Sequence, residues 1–71
     1  MSTVIADFSN IKTIAAAAGL QWWKVSTLIE EHRIPVRKTG RITMVTPEGL
    51  TRLVPILKAF PGVSEDFVRD N

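Results

Sequence analysis

Residues 11–45 are punctuated so closely that they admit few folds. A short helix-forming run ends at Gly19, a second amphipathic run ends at Ile34-Pro35, and a β-rich run turns near Gly40. Each stop has its own physics. Gly19 suits the left-handed conformation that closes a helix. Ile34 precedes a proline and so avoids helical torsions. Gly40 permits the positive φ that a tight hairpin needs. The order that follows is helix, turn, helix, hairpin.

The first helix is predicted from Ile11, Ile14, Ala15 and Ala18, which follow helical spacing. Asp7, Ser9 and Asn10 all suit its cap. The alanines at 15–18 are strong helix formers with little bulk, so another helix can approach closely. The second helix is predicted over residues 22–32. At about 100° per residue, Val25, Leu28, Ile29 and His32 form one apolar stripe, with Trp22 on its flank. Trp23, Lys24, Thr27 and Glu30 lie off that stripe. Trp22 is therefore expected at the core or its edge, Trp23 outside, and His32, the single histidine, as a packed core residue.

Residues 36–38 and 42–45 read as two short strands joined at Thr39-Gly40. Thr46-Pro47-Glu48 starts another helix, with threonine as cap and proline in the first turn. Leu50, Leu53, Val54 and Leu57 continue its apolar stripe. Pro55 predicts a kink near Leu53 or two short helices, because it removes a backbone bond. Residues 63–71 read as a short capped helix or a frayed end. Thr3-Val4-Ile5-Ala6 reads as an edge strand or a tail packed on the core. The expected division is an N-terminal segment, 1–9, a central domain, 10–60, and an acidic C-terminal tail, 61–71. The fold class is mainly α with a small β-hairpin.

Charge is distributed unevenly. The net charge is +2. Within residues 21–45, Lys24, Arg33, Arg37, Lys38 and Arg41 stand against Glu30 and Glu31, whereas residues 59–71 carry Arg69 against Glu65, Asp66 and Asp70. A local basic patch is the footprint of a polyanionic partner. The chain has no cysteine, one histidine, no phosphate-binding loop and no spaced carboxylate pair. These absences argue against an enzyme, a metal centre or a cofactor. The longest apolar run is too short to span a bilayer, and the amino terminus lacks a secretory pattern, so no membrane partner and a cytoplasmic location are expected.

From Asn10 to about Lys58, the chain resembles the excisionase-like and MerR-like winged helix-turn-helix DNA-binding domains. The similar features are "IKTIAAAAGL", the turn at Gly19-Leu20, "WWKVSTLIEEHRIP", the wing "VRKTGRITMV" and the closing "TPEGLTRLV". The resemblance implies a second helix in the major groove of double-stranded DNA and a hairpin wing on backbone or minor groove. By position it implies Trp23, Lys24 and Thr27 on the recognition helix, with Arg33 on its flank near phosphate. Arg37, Lys38 and Arg41 stand on the wing, and Arg41 is the candidate for a narrow minor groove. Gln21 stands where the family has a serine or threonine cap, and the groove-facing surface lacks the usual arginine. The wing therefore carries more of the expected affinity than base readout does.

The implied role is excisionase-type: cooperative, self-associating binding that bends DNA at the nucleoid and steers a recombinase. A phage-type or bacterial transcription regulator, contacting RNA polymerase, uses the same fold. A third reading within the DNA class is a DNA-packaging recognition module. A reading of another class is a protein-interaction module, using Trp23 and the acidic tail with Phe67 and Val68. Taken alone, Lys24 and Thr27 also suit an ordinary solvent-facing helix surface. The wing cations also suit a charged edge that discourages sheet-to-sheet pairing.

Overall fold

A computed structural model of the chain describes residues 10–71. The expectation for Thr3-Val4-Ile5-Ala6, and the 1–9 segment as a whole, lie outside the described residues. The first helix, α1 (Ile11–Ala18), begins where Asn10 Oδ1 accepts from the Thr13 amide at 2.7 Å. It ends at Gly19, with φ +69, where the Gly19 and Leu20 amides donate to the Ala16 and Ala15 carbonyls. That pair of bonds is the Schellman closure.

The second helix, α2 (Trp22–Glu31), buries Val25, Leu28 and Ile29. It closes in the same way, but without glycine. The Arg33 amide donates to the Glu30 carbonyl and the Ile34 amide to the Ile29 carbonyl, with Arg33 at φ +51. The turn returns Ile34 to the core, where it is buried. His32 departs from expectation: it is exposed. His32 caps the end of α2 at φ −96 and ψ 3, its amide still donating to the Leu28 carbonyl at 3.0 Å, and at that last position its side chain reaches solvent. Trp22 also departs from expectation, being 56% exposed. A helical side chain leans over the turn before its own Cα. Trp22 is the first residue of α2 and has no such turn beneath it.

Strands β1 (Val36–Thr39) and β2 (Ile42–Val45) pair antiparallel, Val36 opposite Val45 and Thr39 opposite Ile42. The connecting residues are Gly40 and Arg41, one position beyond the expected Thr39-Gly40. Gly40 has φ +62 and Arg41 has no positive φ, which matches a II′ turn. Helix α3 (Pro47–Ala59) starts at Thr46, whose Oγ1 accepts from the Gly49 amide at 3.0 Å and donates to the Pro35 carbonyl at 3.3 Å. α3 runs as one helix through Pro55, not as two. Leu50, Leu53 and Leu57 anchor both halves in the core, while Thr51 and Pro55 are exposed, so the carbonyl left without a donor has access to water.

Helix α4 (Glu65–Asp70) follows, and packs on α1. The Ser64 amide donates to the Ala18 carbonyl at 2.8 Å, and Phe67 is fully buried. The core joins Ile14, Val25, Val45, Leu53, Leu57 and Phe67, one or more from every element but β1. The described residues are thus mainly helical with one two-stranded hairpin.

Candidate nucleic-acid interface

The outward face of α2 is set by local bonds. Gln21 makes no cap bond to the α2 backbone. Instead its Oε1 accepts from Trp23 Nε1 at 2.8 Å. The Lys24 ammonium lies 5.5 Å from the Trp23 ring centroid, within cation–π range. Thr27 Oγ1 donates to the Trp23 carbonyl at 2.8 Å. The indole donor and the threonine proton are both engaged inside the protein. What this face offers a base edge is the Lys24 ammonium, the Thr27 lone pairs and the Thr27 methyl group. Glu30 and Glu31 are exposed on the same helix.

The hairpin divides its cations. Neighbouring residues of a strand point to opposite faces. Arg37 therefore shares a face with Met44 and Ile42, and Lys38 shares the other with Thr43 and Val45. Arg41 occupies the tip, and all three cations are exposed. Arg33 is exposed at the end of α2, in its left-handed conformation. Behind it, Arg52 of α3 donates to the His32 carbonyl at 3.2 Å and to the Arg33 carbonyl at 3.5 Å. Those are carbonyls at the open end of α2, where a cation is favoured. No local pattern announces Arg52, because its partners are 19 and 20 residues upstream.

Between α1, α2 and the hairpin lies an open groove of about 480 Å³. Asn10, Ile11 and Lys12 form one wall, Trp22 and Ser26 the second, and Arg41, Ile42 and Thr43 the third. Of the seven residues implied by the resemblance, Arg41 alone lines it. Lys24 lies about 160° round the helix from Ser26 and does not reach it. Trp23, Lys24 and Thr27 thus belong to one surface, and the groove to another. Lys12, Trp22 and Ser26 are additions that a wheel centred on Trp23 hides. The available signal was the shared side of Trp22 and Ser26, four residues apart.

The cations around these surfaces have no carboxylate partner among the described residues. Of nine lysines and arginines, Arg69 alone is ion-paired among the described residues, with Asp66 at 3.0 Å and Asp70 at 3.3 Å. The hydrogen bond to Asp70, then the charge of Asp66, raise its pKa above the ordinary value. Arg69 sits on α4, outside the groove. Among the described residues there is no group of histidine, cysteine and carboxylate side chains that could hold a metal ion. Nor is any described helix long and apolar enough to cross a membrane. No protein-family model, curated protein or solved structure matches the chain.

Proposed function

We propose that the protein binds double-stranded DNA as a winged helix-turn-helix of excisionase type, with α2 against the duplex and the β1–β2 hairpin as wing. The supporting observation is the groove itself: Arg41 at the hairpin tip and Lys12 on α1 border the same opening as α2, and neither has a carboxylate partner among the described residues. A strand of DNA laid across that opening would meet cations from two walls. Arg33 at the end of α2, and Arg37 and Lys38 on the two faces of the hairpin, are further exposed cations for phosphate. Affinity at the groove then comes chiefly from counterion release, and Lys24 and Thr27, on a separate face of α2, would read bases only where the duplex also reaches that face. In this reading the protein acts by occupying and bending DNA beside a recombinase, and a transcription regulator with the same DNA-binding surface is the alternative role.

The test is binding to duplex DNA across a salt series. Replacing Arg37, Lys38 and Arg41 together with alanine should lower the slope of log affinity against log salt by about 0.9 for each phosphate that is no longer neutralised. An unchanged slope and affinity would remove the wing from the mechanism. Fragments retained from a genomic library, scored for repeated sites beside a recombinase gene or for promoters, separate the two roles.

One observation favours a second reading. Trp22, Trp23 and Ile42 are each about half exposed, at 56%, 49% and 54%. Exposed tryptophans are common anchors of protein interfaces. A stable protein complex, with no DNA affinity even at low salt, would select the interaction module.

A further inference from the structure

We infer that the groove between α2 and the hairpin tip is a pocket for one unpaired nucleotide of a DNA strand. The inference rests on the duplex-binding reading above and adds a ligand to it. The groove volume of about 480 Å³ falls within the roughly 300–1,000 Å³ of small-ligand sites. Its walls supply the three things a nucleotide requires.

The first is a stacking surface. Trp22 is more than half exposed, and its indole has no hydrogen-bond partner among the described residues, unlike that of Trp23. A base inside a duplex already has both faces stacked, so an indole on the groove wall meets the face of a base only when that base leaves the helix. The second is positive charge for the flanking phosphates, from Lys12 of α1 and Arg41 of the hairpin tip, which both line the groove. The third is a set of groups for the base edge. Asn10 Oδ1 is engaged in capping α1, which leaves the Asn10 amide hydrogens as donors. Ser26 and Thr43 add hydroxyls that donate or accept. A peptide anchor would be better served by a charge-depleted centre, which this lining does not provide.

The experiment measures binding of the full chain at low salt to three probes: a matched duplex, the same duplex with a one-nucleotide bulge, and free thymidine monophosphate. The bulged duplex should bind about tenfold more tightly than the matched one, the scale of one stacked base. Trp22→Ala should abolish that ratio and Trp22→Phe should retain most of it, each with an unchanged circular dichroism spectrum. Arg41→Ala, which alters no core residue, should lower the ratio independently of Trp22. Equal binding of the two duplexes by the wild type overturns the pocket while leaving duplex binding intact. Failure to bind either duplex overturns both. Thymidine monophosphate binding as tightly as the bulged duplex reassigns the site to free nucleotides, and overturns the assignment to DNA.

Discussion

Arg33 holds a torsion that glycine would hold without strain. At φ +51 its Cβ crowds the backbone, at a cost of roughly 1–2 kcal/mol. Arg33→Gly should therefore raise stability by about 0.5–1 kcal/mol in urea denaturation. If the exposed guanidinium meets phosphate, the same change should weaken DNA binding, so stability and affinity would move in opposite directions. Gly49 is the reverse case. A Cβ there would run into the Pro35 carbonyl oxygen and lie 2.9 Å from Val45 Cγ1. Gly49→Ala gains helix propensity, yet should destabilise by about 1–3 kcal/mol, because backbone at the closest contact cannot yield as a side chain does. A lowered denaturation midpoint checks this, and an unchanged midpoint would contradict the close approach. These two positions mark a limit of reading residues in order. Gly19 and Gly40 were legible, because glycine at a stop signals positive φ. Nothing in an arginine signals it. What places Arg33 there is the return of Ile34 to the core.

At the scale of elements, periodicity carried most of the reading. The helices around Ile14, Val25 and Leu53 and the hairpin from 36 to 45 were all legible from spacing and stops. Where it failed, the residue stood at an end of its element. Trp22, the first residue of α2, has no preceding turn to lean on, and His32 lies just past the last helical residue. α3 shows the opposite failure. Pro55 looked disruptive in isolation, but leucines on both sides hold the helix to the core. The α2 start offers a prediction. Position 21 has extended cap torsions, φ −75 and ψ 142, but no side-chain cap bond. Gln21→Ser should supply one and stabilise the protein by about 1 kcal/mol, visible as a higher melting temperature. It also frees the Trp23 indole, so the tryptophan fluorescence should change with it. The candidate site was legible only in part. Wing cations are conspicuous in a sequence, whereas a groove built from α1, α2 and β2 depends on how three elements meet.

For the whole molecule, the C-terminal residues belong to the body of the fold. Residues 63–71 read as a short capped helix or a frayed end of acidic composition; they form α4, which leaves its charged residues exposed and buries Phe67 in the core. Phe67→Ala should cost about 3–5 kcal/mol, a large part of what a domain this small has available. Circular dichroism should show a protein partly or wholly unfolded at room temperature. A Val68→Ala variant, altering an exposed neighbour, should melt close to the wild type. Removing residues 63–71 is then a test of folding before it is a test of any partner contact. The Pro35 carbonyl has a consequence at this same scale. It receives the Thr46 amide and the Thr46 hydroxyl, and it lies against Gly49. The hairpin is thereby clamped at its root and unsupported at Gly40, where nothing lies within 4 Å of an added Cβ. Mobility in the hairpin should therefore rise from root to tip, with amide hydrogen exchange slower at Thr46 than at Arg41.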